Sequence, residues 1–221
     1  STELDTLRRA DNIGGDDDRR RNLTQRMLIL TESNERGGDC SIDYIRRQIL
    51  ESYVGQPNDD RTVSKHPMVV CNDIVRYYRT LCLDYKSRVE TKPESWAERH
   101  AKLRNPRKIW YFSTIMAIAR EVVNIDETSS SDLFDSLSKT FAQPPILRLV
   151  GCAETANKNH VVKILDIFSQ YLCQMGDSSF RKKLGSVNFD NRNDKYLGGG
   201  EKIPIMILMS DHVILMFKCC R

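Results

Sequence analysis

The sequence is poor in helix-breaking residues and has no hydrophobic run long enough to cross a membrane. Its 221 residues include only 11 Gly and 7 Pro, and the mean hydropathy is −0.49. No apolar stretch approaches the roughly twenty residues that a membrane-spanning helix needs. The first residues, STELDTLRRADN, lack the apolar segment of a signal peptide. We therefore expect a cytoplasmic protein that has no membrane partner.

Cysteine patterns and a strong charge imbalance are also missing. The seven cysteines are scattered and form no C-x-x-C pair, which favours free thiols in a reducing compartment over a zinc site. The formal net charge of +4 comes from 34 basic and 30 acidic residues. This excess is too mild to indicate nucleic-acid binding by itself, so only a local concentration of basic residues could indicate that function.

The short motifs of self-contained catalytic centres are absent as well. There is no G-x-S-x-G or H-E-x-x-H, and Gly198–Gly200 lacks the Lys and Ser or Thr that complete a P-loop. Asp16 and Asp18 have the spacing of paired metal-binding acids, but they precede a predicted helix and more simply complement its dipole. The sequence therefore predicts no catalytic and no metal-ligating residue in this chain.

The apolar residues that are present recur mostly at three- and four-residue spacing, which predicts a mainly α-helical protein. We expect a bundle of about six to eight helices, with a final helix or short hairpin. The predicted helices cover residues 17–33, 41–54, 68–88, 106–123, 131–141, 144–150 and 154–175. Asn105 is the expected N-cap of the fourth helix. Residues 176–202 are predicted to form a loop, and a helix is favoured over a hairpin for residues 203–217.

No internal repeat or obvious linker divides the chain into domains. An approximate boundary separates a helical domain of residues 13–125, which contains the RYYRT helix and the basic segment, from a second helical subdomain of residues 126–221.

Basic residues concentrate in two neighbouring stretches. Arg76 and Arg79 are three residues apart, so they lie on one face of the helix over residues 68–88. The following stretch is opposed only by Glu98 and contains Arg99, His100, Lys102, Arg104, Arg107 and Lys108. If the two segments pack antiparallel, these groups could converge on one concave surface, where arginine forks would suit phosphate oxygens.

Residues beside Arg76 could support such a site. Asn72 and Asp73 lie about one turn earlier and could orient the Arg76 guanidinium. Tyr77 could stack on a base, although an aromatic residue within an apolar stripe is more typical of a core. A second interpretation stays open, in which the basic residues form solvated helix faces with salt bridges to Asp73 and Asp84.

Three stretches resemble bacterial nucleotidyltransferase-like proteins of the DNA polymerase β superfamily. They are IGGDD with LTQRMLILTES in residues 13–33, NDIVRYYRT with DY in residues 72–85, and residues 99–108, which end in KLRxxRK. The resemblance covers residues 13–120. It implies the helical C-terminal part of such a protein, a fragment, or one half of a split system. The Gly-Ser turn and the acids that bind Mg²⁺ would then belong to a separate catalytic module.

The resemblance leads to a first hypothesis, in which this helical module assists metal-dependent nucleotidyl transfer. It implies a place for five basic residues at the nucleotide or RNA-acceptor side of the cleft, namely Arg76, Arg79, Lys102, Arg104 and Arg107. The alternative is a non-enzymatic interaction module that docks nucleic acid or an acidic protein through a basic face. The sequence leaves both hypotheses open.

Overall fold

The computed structural model describes residues 20–33, 41–54, 66–124, 130–152 and 158–187. Helices make up 92% of these residues, and no strand occurs among them, which confirms the mainly α fold class. The elements are α1 Arg20–Thr31, α2 Ile42–Val54, α3 His66–Thr91, a 3₁₀ turn Pro93–Ser95, α4 Trp96–Arg104, α5 Pro106–Asn124, α6 Ser130–Ala142, α7 Pro145–Gly151, α8 Lys158–Gly176 and α9 Ser178–Gly185. None of these helices combines the length and apolar composition required to cross a membrane.

The chain divides into two compact units, each built from two separate stretches. Unit 1 consists of Ser1–Tyr78 and Ser113–Cys152, and unit 2 of Arg79–Phe112 and Ala153–Arg221. Helices α3 and α5 therefore contribute residues to both units. The domain boundary predicted at residues 125–126 lies outside the described residues, so the division into residues 13–125 and 126–221 stays a prediction. The helix or hairpin of residues 203–217 also lies outside them.

Unit 1 is organised around α2, which packs against α1 and α6, while α1 also contacts α6. Each helix turns an apolar stripe inward because its large side chains recur every three or four residues. The buried side chains on these helices include Leu23, Met27, Leu30, Ile49, Leu50, Tyr53, Leu133, Phe134, Leu137 and Phe141. At the contact between α2 and α6, the Arg47 guanidinium lies 4.7 Å from the centre of the Phe134 ring.

Arg148 joins several helix ends within unit 1. Its side chain is almost fully buried and donates to the Thr114 hydroxyl at 2.8 Å. It also donates to three carbonyl oxygens at 2.6–3.2 Å, those of Thr31, Phe141 and Gln143. The first two carbonyls lie in the last turns of α1 and α6, where helices leave acceptors unsatisfied. Burial lowers the pKa of Arg148 to about 10, so the side chain remains charged at neutral pH.

Unit 2 has a core at the contact of α4, α8 and α9, in which α9 packs against both other helices. Its buried side chains are Trp96, Ala97, Ala101, Tyr171, Leu184 and Val187. The prediction of a loop over residues 176–202 is wrong for its first part, because α9 occupies Ser178–Gly185. This short helix forms because Asp177 caps its start and Leu184 is buried in the core.

Asn105 immediately precedes α5, at the predicted N-cap position, but its side chain does not cap the helix. The backbone carbonyl of Asn105 accepts from the Ile109 N–H at 3.1 Å, as at a helix start. Its side-chain amide instead donates backward to the carbonyl of Ala101 at 3.0 Å. Because α4 ends at Arg104, its last carbonyls need donors and take up this amide. The Asn105 Oδ1 has no hydrogen-bond partner among the described residues.

Candidate nucleotide- and nucleic-acid-binding site

The residues predicted to form a site fall in both compact units. Unit 1 contains Asn72, Asp73, Arg76 and Tyr77, and unit 2 contains Arg79, Lys102, Arg104 and Arg107. The predicted convergence of both groups on one surface stays a prediction.

Asp73 is the centre of a buried polar network in unit 1. The carboxylate is fully buried, and its Oδ1 accepts from Arg76 Nη1 at 2.8 Å. Its Oδ2 accepts from the Tyr53 hydroxyl at 2.6 Å and from Arg26 Nη2 at 3.4 Å. The Arg26 Nε donates to the same Tyr53 hydroxyl at 3.1 Å. We call Arg26, Tyr53, Asp73 and Arg76 the Asp73 network.

The network keeps the Tyr53 phenol protonated and fixes the direction of one predicted ligand. Burial raises the pKa of Tyr53, so the phenol keeps its proton and donates it to the carboxylate. The Arg76 side chain is 32% exposed and is held at its inner end by Asp73. One side of the Arg76 guanidinium is thus engaged by Asp73, while part of its surface faces solvent.

The other two residues predicted beside Arg76 differ in accessibility. Asn72 is exposed. Tyr77 is only 2% exposed, and its hydroxyl donates to Glu32 Oε1 at 3.3 Å. This burial agrees with a core role for the Tyr77 ring, because a base could not stack on it without opening the core.

Positive charge is concentrated in unit 2. Its described residues, 79–112 and 158–187, contain fourteen Lys and Arg against six Asp and Glu, a formal net charge of +8. The whole chain carries only +4, so the remaining residues are net acidic. This is the local concentration of basic residues that the mild overall charge conceals.

On one side of α4, cations surround a single carboxylate. Lys102 donates to Glu98 at 2.5 Å, and both side chains are about half exposed. The pKa of Glu98 is lowered first by this hydrogen bond and further by the positive charges of Arg99 and Arg181. Arg181 belongs to α9, so the packing of α9 on α4 brings basic residues of two sequence stretches to one surface.

On another side of α4, Arg104 lies close to an aromatic cluster. The His100 ring stacks on Trp96 with ring centres 4.9 Å apart, and its Nδ1 is 3.0 Å from the Tyr85 hydroxyl. Burial, together with the charges of Arg104 and Lys108, lowers the pKa of His100 to about 4. The imidazole is therefore neutral at physiological pH and does not titrate where a general acid or base would operate.

The two remaining predicted ligands of unit 2 also differ in exposure. Arg79 is exposed on α3, whereas Arg107, in the first turn of α5, is half-buried. The sequence interpretation missed Arg181, Lys182 and Lys183, because residues 176–202 were predicted to be a loop. The signal that could have revealed them is Asp177 as an N-cap, followed by Phe180 and Leu184 at helical spacing.

The described residues offer no ligand set for the Mg²⁺ that the resemblance implies. No group of three or more His, Cys, Asp and Glu side chains is clustered there as a metal ion would require. No step of a reaction is therefore assigned to a metal held by these residues.

Comparison with known proteins identifies no relative. No protein-family model, curated protein sequence or solved structure matches this chain.

Proposed function

We propose that this chain is the helical module of a nucleotidyltransferase-like protein. It assists metal-dependent nucleotidyl transfer by binding nucleotide phosphates or an RNA acceptor, and the catalytic acids belong to a separate module. The observation that carries the proposal is the net charge of +8 on the described residues of unit 2. The proposed phosphate ligands are Arg76, Arg79, Lys102, Arg104 and Arg107.

The surroundings of Arg104 support an anion ligand. Arg104 and Lys108 both act on the His100 imidazole, so two positive charges lie near one group that is itself neutral. Both charges would attract an oxyanion bound near His100. A planar guanidinium also presents paired N–H donors that match two phosphate oxygens.

The proposal is tested by titrating the full chain with a fluorescent ATP analogue. Replacing both Arg104→Gln and Arg107→Gln removes two proposed phosphate ligands, and we expect roughly tenfold weaker binding because charge-assisted hydrogen bonds are lost. The matched control, Lys158→Gln with Lys163→Gln, removes two exposed charges from α8 of the same unit and should change the affinity less than twofold.

Two results would contradict the proposed binding role. One is a wild-type chain that binds neither ATP nor RNA at low salt. The other is an equal loss of affinity in the Arg104/Arg107 variant and in its control. Nucleotidyl transfer by the purified chain alone would contradict the placement of the catalytic acids on a separate module.

A second candidate function is a non-enzymatic interaction module that docks nucleic acid or an acidic protein. It is favoured by the basic residues around Glu98, of which Lys102 and Arg181 are exposed. Binding would then weaken steeply with salt and need no divalent metal. Replacing Arg76 and Arg79 by Ala separates the two functions, because a folded variant that loses ATP affinity supports the first, whereas a folded variant that retains it supports the second.

A further inference from the structure

The short helix α9 holds three consecutive basic residues on the outside of unit 2. Phe180 and Leu184 are four residues apart and both pack in the core at α4 and α8, where Leu184 is 2% exposed. Because these two side chains fix the inner face of the helix, the residues between them turn outward. Arg181, Lys182 and Lys183 are all exposed.

Hydrogen bonds at both ends define α9. Asp177 Oδ1 accepts from the Ser179 N–H at 2.8 Å, and the Ser186 N–H donates to the carbonyls of Lys182 and Lys183 at 3.2 and 3.1 Å. Arg181 Nη1 donates to the Met175 carbonyl at 2.7 Å, which ties the helix to the end of α8. Lys182 and Lys183 therefore extend from an ordered backbone, and a ligand need not order that backbone on binding.

Helix α4 adds two more cations beside this helix. Arg99 and Lys102 lie near Glu98, and so does Arg181 of α9. We call Arg99, Lys102, Arg181, Lys182 and Lys183 the α4–α9 basic surface. Two acidic residues lie at α4 and at the start of α9. Glu98 is bonded to Lys102, and Asp177 caps α9.

We propose that the α4–α9 basic surface binds the sugar–phosphate backbone of an RNA strand. Its cations belong to two packed helices, whose axes in such contacts are about 8–10 Å apart. A strand that repeats a phosphate at every nucleotide can contact both helices at once, whereas one mononucleotide is short for this surface. The choice of RNA over DNA rests on the proposed function, because the acceptor implied there is RNA.

The composition of the surface disfavours a protein or a lipid bilayer as the occupant. None of the exposed large hydrophobic side chains of the described residues lies on α4 or α9. Protein interfaces depend on buried apolar and aromatic anchors at their centre. Helices that bind membranes insert an apolar face into the lipid, and on α9 that face already packs in the core. Nucleic-acid backbones require mainly positive charge and polar contacts.

The test is fluorescence anisotropy of a labelled 20-nucleotide single-stranded RNA with the full chain at several KCl concentrations. The double variant replaces Lys182→Gln and Lys183→Gln, and we expect it to bind roughly tenfold more weakly at low salt. Because two phosphate contacts are lost, the slope of the logarithm of the binding constant against the logarithm of the salt concentration should become about 1.4 units shallower. The matched control is Lys158→Gln with Lys163→Gln, which should bind like the wild type. Lys163 lies roughly 20 Å along α8 from Gly176.

The outcomes separate this inference from the proposed function. If RNA binding depends on Lys182 and Lys183 while fluorescent ATP binds equally to the variant and the wild type, the inference is supported. If the Arg104/Arg107 variant and its control lose the same affinity for ATP while RNA binding still depends on Lys182 and Lys183, the inference stands and the nucleotidyltransferase proposal falls.

Several results would overturn the inference. One is an α9 variant that binds RNA like the wild type, and another is an equal loss of RNA affinity in the α8 control. Tighter binding of DNA of the same sequence, or displacement of RNA by polyglutamate at equal charge concentration, would also overturn it. Circular dichroism of each variant shows whether it is folded. The salt dependence of wild-type binding needs no variant, and a flat dependence would also overturn the inference.

Discussion

Asp73 is a buried carboxylate whose charge is matched within hydrogen-bonding distance. It accepts from Tyr53 and from two arginines, Arg26 and Arg76. Arg26 is as completely buried as Asp73. Taking such charges out of water is costly, and the cost is offset only while the partners stay together. The Asp73 carboxylate therefore stabilises the structure chiefly by accepting from both arginines at once.

Replacing Asp73→Asn should lower the free energy of unfolding by roughly 3 kcal/mol, because the buried Arg26 would lose its ion pair with the carboxylate. Urea denaturation followed by circular dichroism measures the change. The same substitution at Asp84, which forms an exposed pair with Arg88 on the same helix, should cost less than about 1 kcal/mol. Equal losses in the two variants would show that burial does not determine the effect.

His100 makes stability depend on pH. Its pKa is lowered from 6.5 to about 4 by burial and by the charges of Arg104 and Lys108. In the unfolded chain the imidazole regains its ordinary pKa, so below about pH 6.5 the unfolded state binds the extra proton. The neutral imidazole makes its full contribution to the free energy of unfolding above pH 6.5. This contribution is lost progressively as the pH falls toward 4.

Between pH 7 and pH 5 this loss should amount to about 1 kcal/mol, after a discount for the partial exposure of the ring. A His100→Gln variant has no imidazole to titrate, so its stability should change less with pH over this range. Urea denaturation of both proteins at the two pH values provides the comparison. An identical pH dependence in the variant would assign the effect to other groups.

Among the secondary-structure elements, the helices with long apolar stripes were predictable from the sequence. The prediction of residues 68–88 is confirmed by α3, His66–Thr91, and that of residues 131–141 by α6, Ser130–Ala142. Each has enough apolar residues at helical spacing to specify its own buried face. The start of α7 is marked by its first residue, Pro145.

Helices α4 and α9 were not predicted, because both are short and polar. Four of the nine residues of α4 are charged, and α9 has eight residues. Short helices are marginal alone and depend on tertiary packing, here on Trp96 and Leu184, and this packing is not visible in a local pattern. For the same reason the sequence identified Lys102 as a basic residue but could not reveal Arg181 beside it.

Replacing Leu184→Ala should release α9 from the core of unit 2. The loss of a buried leucine side chain costs about 2–5 kcal/mol, and an eight-residue helix is not stable alone. Amide hydrogen exchange in α9, followed by mass spectrometry, should accelerate at least about tenfold. Leu172→Ala, the same change at an exposed position of α8, is the control and should leave α9 exchange unchanged. Unchanged exchange in the Leu184 variant would mean that other contacts hold the helix.

At the scale of the whole molecule, the two compact units interleave along the chain. Unit 1 contains residues on both sides of the stretch 79–112 of unit 2. Composition and linkers give no sign of such a division, because it arises from contacts between residues far apart in sequence. The charge difference between the units was hidden for a related reason, since the overall charge of +4 averages a basic unit 2 with acidic residues elsewhere.

The interleaved order limits how the protein can be dissected. A truncation after residue 125 would keep α1 and α2 but remove α6, which both of them contact. The apolar side of α2, including Ile49 and Leu50, would then lose its cover and meet water, which promotes aggregation. A soluble piece that retains unit 1 must therefore carry residues from before and after the stretch 79–112.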